Sequence, residues 1–207
     1  MKFNIKKWFL IFGVLATSFT VSSVQADEPG TANGEWHHYT GDIKGSRYSP
    51  LSQVTADNFE DLELAWSFST KNLGTRSEYK LEVTPIMIGG VLYATAGTRR
   101  TAIALDGQTG ELMWMHSMRE GLRGGMAPRQ LSGRGLSYWS DGKGDDRVYY
   151  VTTGYRLIAL NAHTGVPIDS FGTDGNGILD LKIGAVQGNE VQIDLVTGEI
   201  GLHATPT

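Results

Sequence analysis

Cysteine is absent from all 207 residues. An exported protein of this composition has no disulfide framework, and it is not a lipoprotein, whose anchor requires a cysteine at the cleavage site. Basic clusters are missing too. Lysine and arginine number 18 against 22 aspartates and glutamates, a net charge of −4, which argues against nucleic acid as a partner. No hydrophobic run reaches the roughly 20 residues that a membrane-crossing helix needs. The longest, 8–16, follows Lys2, Lys6 and Lys7 and precedes Val24-Gln25-Ala26, with small residues at both specificity positions. This order predicts a secretory signal peptide over 1–26, cleaved after Ala26; an uncleaved membrane anchor is the alternative that the short run disfavours. The remaining 181 residues carry 15 basic and 22 acidic side chains, a net of −7. Coiled-coil heptads, low-complexity tracts and a second domain are not visible.

Glycine is abundant, 27 of 207, as tight turns between many short strands require. The chain also repeats itself. Ala104-Leu105-Asp106-Gly107-Gln108-Thr109-Gly110 returns 55 positions later as Ala159-Leu160-Asn161-Ala162-His163-Thr164-Gly165. Each copy follows a strand-like stretch. A repeat of this length predicts an all-β fold of the β-propeller type. The first unit reads as strands over 82–88, 91–96, 101–105 and 112–116, with a Gly89-Gly90 hairpin and a turn over 106–110. The second begins near Arg134, with strands over 148–152 and 156–160 and a turn over 161–165. Asp169 stands where the second copy should have its Trp114, and Phe171 is the candidate replacement. Upstream, 62–68 alternates leucine, leucine, tryptophan and phenylalanine on one face and reads as a half-buried strand. Thr55 reads as the cap of a helical turn over 56–59. Residues 115–133 form a long glycine-rich insertion carrying Arg119, Arg123 and Arg129; insertions of this kind are usually functional or mobile. A third echo, Leu81-Glu82-Val83-Thr84-Pro85 against Leu202-His203-Ala204-Thr205-Pro206, predicts that 27–207 is the N-terminal part of a larger propeller: two blades and part of a third.

Ala104-Leu105-Asp106, Thr109-Gly110 and Trp114 together resemble the Ala-x-Asp-x-x-Thr-Gly-x-x-x-Trp signature of the quinoprotein dehydrogenases. These enzymes use pyrroloquinoline quinone (PQQ) and fold as eight-bladed propellers. Trp36…Tyr39-x-Gly41-Asp42…Tyr48-Ser49-Pro50-Leu51, Leu62-x-Leu64-Ala65-Trp66-x-Phe68 and Arg134-Gly135…Tyr138-Trp139 extend the resemblance, as does Phe171-Gly172-x-x-Gly175. It implies that Glu82 and Arg134 contact PQQ, the arginine pairing with a carboxylate of this tricarboxylate cofactor. It implies a third contact from a threonine at Thr152 or Thr153, two residues that are equally ordinary strand fillers. Arg99, Arg100, Arg123 and Arg129 read either as an attraction for the anionic cofactor or as solvated loop charges. The family's calcium ligands and catalytic aspartate would lie beyond residue 207, so the chain holds no assignable metal ligand or base.

The implied reaction is oxidation of an alcohol or sugar hydroxyl in the periplasm, with electrons passing to cytochrome c or a membrane quinone and membrane association left open. The missing adjacent cysteines point toward the glucose or polyol branch. A non-catalytic propeller for protein assembly, or an inactive truncated product, is the alternative.

Overall fold

The computed structural model describes residues 30–181, 196 and 202–206. The signal-peptide reading of 1–26 lies outside them. Two four-stranded antiparallel sheets follow one another along the chain, each with its strands in sequential order. The first holds β1 (Ile86–Ile88), β2 (Val91–Ala96), β3 (Thr101–Asp106) and β4 (Leu112–His116). The second holds β5 (Ser137–Ser140), β6 (Asp146–Val151), β7 (Arg156–Asn161) and β8 (Ile178–Asp180). Between them the insertion carries one short helix, α1 (Gly121–Gly125). Each sheet is one blade.

Alternation along β2 and β3 divides the core in two. Tyr93, Ala102 and Ala104 join Trp114, Leu136, Val148, Tyr150, Ile158 and Leu160 in a cluster that spans both sheets. Ala94, Ala96, Ile103 and Leu105 face the other way and are covered by Trp66, Phe68 and Leu73. Ala102 and Ala104 are wholly buried. Their small side chains leave room for the Tyr93 and Trp114 rings, whose centroids are 6.0 Å apart.

The repeated turn explains how the sheets dock. The Asp106 carboxylate accepts bonds from the Gln108 and Thr109 amides and the Thr109 hydroxyl. Asn161 accepts the same three from His163 and Thr164. The closing glycines, Gly110 and Gly165, have φ of 72° and 69°, a region that disfavours side chains. A tryptophan from the preceding segment lies flat on each. Trp114 donates its Nε1 hydrogen to the Ala162 carbonyl at 2.8 Å, and a Cβ on Gly165 would fall 2.6 Å from its ring. Trp66 repeats this on the first sheet, donating to the Gly107 carbonyl at 3.2 Å with a Gly110 Cβ position 2.5 Å from its ring. Sheet one is therefore docked from both sides.

Several expectations are corrected. Residues 62–68 make no sheet pairing among the described residues; they run extended along the first sheet, with Trp66 and Phe68 against it and Leu62 and Leu64 exposed. The alternation was a docking face, and no neighbouring strand fills the hydrogen bonds. The first strand starts at Ile86, not Glu82, because Pro85 has no amide hydrogen and the Thr84 amide turns to the Arg134 carbonyl. The helical turn is Phe59–Asp61, after Asn58. Thr55 does not cap it: its amide and hydroxyl both donate to the Asn58 side chain. In the second sheet the fourth strand is interrupted. Pro167 bridges to Leu160, the chain leaves, and it returns as β8. Asp169 sits in that excursion, and Phe171 packs edge-on against Tyr149 of its own sheet at 5.6 Å.

Truncating Trp114 to alanine should destabilise the protein by about 3–5 kcal/mol, and Gly165→Ala should also destabilise it, since the new methyl meets the same ring. Urea unfolding checks both; a Trp114→Ala loss below about 1 kcal/mol contradicts the docking role. His116 bridges the sheets as well, its Nδ1 lying 2.9 Å from the Tyr150 hydroxyl. Burial pushes its pKa below the ordinary 6.5. The folded ring therefore stays neutral where the unfolded one takes a proton, so stability is full above pH 6.5 and falls as pH drops through and below that value. Unfolding midpoints measured from pH 7.5 to 5 should decline less steeply in His116→Gln than in the parent protein.

Candidate functional site

The segments that open the repeat units meet side by side. The Thr84 amide donates to the Arg134 carbonyl and the Arg134 amide to the His203 carbonyl, both at 3.2 Å. Glu82 and Arg134 are thus brought together, close enough for each to feel the other's charge. Glu82 is pinned through its amide, which donates to the Ser132 hydroxyl at 3.3 Å. Its carboxylate lies 2.9 Å from Lys80 Nζ and 3.4 Å from His203 Nε2. The Lys80 hydrogen bond, helped by the charges of Lys80 and Arg134, holds Glu82 below the ordinary carboxylate range. The Arg134 side chain is exposed and donates from Nη1 to the Tyr39 hydroxyl at 2.8 Å.

Beside Glu82 lies a cavity of about 420 Å³ whose wall includes Arg76, Lys80, Arg129 and His203. Burial, and next the nearby Arg100 charge, push the His203 pKa down, so its ring is a neutral partner for Glu82 at pH 7. Tyr39 faces a different groove, lined with it by Tyr138, Trp139, Tyr149, Leu136 and Leu157 among others.

Arg100 is buried at 3% exposure, not a solvated loop charge. Its guanidinium donates to the carbonyls of Leu131, Val151, Leu202 and Arg129, tying the insertion, β6 and the third unit opening to the turn after β2. Burial lowers its pKa to about 10, and it remains charged at neutral pH. Gly133 is required beneath it, since a Cβ there would fall 2.7 Å from Arg100 Nε. Glu78 closes the same region, accepting from the Ser132 amide at 2.7 Å and the Gly97 amide at 2.8 Å.

Thr152 and Thr153, just past β6, are both buried and stand in a different cluster. Their hydroxyls donate to Glu120 at 2.7 and 3.2 Å. The Gly154 amide (2.7 Å) and Arg156 Nη1 (2.5 Å) complete the shell of this carboxylate. Both threonine protons are spent, so neither hydroxyl is left to donate to a ligand. Arg123 is likewise no free loop charge: it grips Asp180 through two bonds of 2.7 and 2.8 Å. Glu120 carried no sequence signal, because an acid in a glycine-rich insertion belongs to neither the repeat nor a periodic face. Its partners did sit at a recognisable place, the second-unit equivalent of the turn that holds Arg100.

PQQ is a flat quinone with three carboxylates. The basic wall of Arg76, Lys80 and Arg129 fits a polyanion, and the one acid, Glu82, is already paired. Among the described residues no group of three metal-ligating side chains occurs, and no helix is long and apolar enough to cross a membrane.

The family model of the PQQ β-propeller domain of glucose, ethanol and alcohol dehydrogenases matches residues 36–201. The chain belongs to this family. It is 34% identical over 149 residues to the dehydrogenase subunit of the quinone alcohol dehydrogenase of Gluconobacter oxydans, covering 70% of this chain and 18% of that protein. It is 30% identical over 189 residues to the quinoprotein glucose dehydrogenase of the same organism, covering 84% and 23%. Among solved structures, the quinohemoprotein alcohol dehydrogenase of Comamonas testosteroni superposes with a TM-score of 0.54 at 30% identity, over 67% of this chain and 19% of that one. The two sheets are thus blades of a partial propeller, and the chain spans about a fifth of the length of these relatives.

Replacing Glu120 by alanine strands two buried hydroxyls, an amide and a guanidinium. The loss should be about 1.5–3 kcal/mol, with Glu120→Gln in between. Chemical denaturation of the two variants checks this; a neutral Glu120→Ala contradicts the network.

Proposed function

We propose that this chain supplies the opening blades and part of the cofactor cradle of a periplasmic PQQ-dependent dehydrogenase that oxidises an alcohol or sugar hydroxyl. The observation that carries the reading is that Glu82 and Arg134 are brought together where the unit openings touch, with Glu82 itself lining a basic cavity, in a chain of this family. Relatives named for alcohols, glucose and 1-butanol, one with a quinone and one with cytochrome c as acceptor, support the substrate and acceptor classes. The lysines, apolar run and Ala26 site support export.

The bound quinone supplies a two-electron acceptor for the substrate's carbon-bound hydrogen and hydroxyl proton. The residues of this chain bind and orient. Arg134, exposed and with Tyr39 as its one side-chain hydrogen-bond partner among the described residues, is available to grip a carboxylate through two parallel bonds. Lys80, Arg76 and Arg129 add fixed positive charge around a polyanion. Glu82, kept ionised by Lys80, sets the polarity of one edge of the cavity and holds Lys80 and His203 in place. Among the described residues no group of side chains assigns a calcium site. The assembly-scaffold alternative gives no use to a basic cavity.

Titration with PQQ, read by its fluorescence, tests the assignment. Arg134→Ala should weaken binding by about 2–5 kcal/mol, and Arg134→Lys should recover only part, because an ammonium lacks the fork geometry. Affinity should also fall as salt is raised. Unchanged affinity in Arg134→Ala defeats the proposal.

A further inference from the structure

A second cleft, of about 290 Å³, lies between the turn after β2 and the insertion, lined by Thr75, Thr98, Arg99, Arg119, Glu120 and Gln130 among others. Its charges are unequal in their availability. Glu120 is filled by four donors and paired with Arg156, which also lies 3.7 Å from Asp180. Arg123 neutralises the rest of Asp180. Arg99 and Arg119 have no hydrogen-bond or ion-pair partner among the described residues. The free charge in the cleft is therefore positive, and it comes from two guanidinium groups. The Thr98 hydroxyl accepts from the Thr75 amide at 3.1 Å, which leaves its own proton to give.

This is the wrong chemistry for a neutral sugar. Each sugar hydroxyl needs an acceptor as well as a donor, while among the described residues the cleft's single carboxylate is consumed and no aromatic ring lines it. It suits a carboxylate, which accepts only and matches the guanidinium fork. Gln130 lines both this cleft and the basic cavity beside Glu82, so the two adjoin. We infer that the Arg99–Arg119 cleft is a carboxylate subsite, and that the substrate is a hydroxy acid whose carboxylate rests there while its hydroxyl faces the neighbouring cavity. The identity of that substrate rests on the function proposed above; the anion site itself does not.

Gluconate and glucose form a pair of six-carbon polyhydroxy probes, the first with a carboxylate and the second without. Calorimetry on the protein without PQQ, at constant ionic strength, should detect gluconate binding and at least tenfold weaker glucose binding. Arg99→Gln and Arg119→Gln should each weaken gluconate about tenfold or more, with PQQ affinity and unfolding midpoint unchanged. The alternative source of the carboxylate is the cofactor itself, so gluconate is titrated again with PQQ saturating. Its affinity should stay within about twofold, and exclusion of gluconate by PQQ would give the subsite to the cofactor and overturn the inference. Equal binding of glucose, no binding of gluconate, or indifference to both substitutions would overturn it as well. Failure of PQQ to bind, with gluconate still captured through both arginines, would leave the anion site standing and remove only the function proposed above.

Discussion

A tryptophan laid on the glycine of the next unit's turn is the contact on which the rest of this molecule depends. It does three things at once. The ring buries a large apolar area, its Nε1 hydrogen satisfies a carbonyl that the turn leaves open, and the fit admits no side chain on the glycine. A blade of four short strands buries too little by itself to be stable, and repeat architectures derive much of their stability from such neighbour contacts. Here the geometry is applied twice, by Trp66 on Gly110 and by Trp114 on Gly165. Each time the turn is first made rigid by an Asp or Asn collecting three hydrogen bonds.

Docked blades fix where their openings fall. The backbone passes one hydrogen bond from Thr84 to Arg134 and another from Arg134 to His203, stepping through three units in turn. Buried charge then secures the upper layer. Arg100 is solvated by four carbonyls instead of a carboxylate, and Glu120 by two hydroxyls, an amide and a guanidinium. Such groups are costly to desolvate and worth keeping only when every bond is filled. Arg100 thereby fixes the backbone at Arg129, one of the basic side chains of the cavity wall.

The repeat made the blade strands legible. β2 and β4 fall where the apolar pattern and the 104–110 turn place them, and the docking role of Trp114 follows from the motif. Residues 62–68 misled because a docking face and a strand face share the same alternation; only the partner distinguishes them. The site was legible in part. Glu82 and Arg134 sit together, but the fates of Thr152 and Thr153 depend on Glu120, which lies about 32 residues earlier in an aperiodic loop. Arg100 was unreadable for a related reason: four backbone carbonyls can hold a charge, and backbone leaves no trace in composition.

The central claim is that the basic cavity at the unit openings receives the quinone carboxylates. Arginine side-chain NMR, following the Nε–Hε signals as PQQ is added, tests it most directly. Assignment by single Arg→Lys replacements keeps the charge constant. The account predicts that Arg134 and Arg129 shift progressively with PQQ, while Arg123, locked to Asp180, stays still. Shifts confined to other arginines, with Arg134 unmoved at saturation, would contradict it.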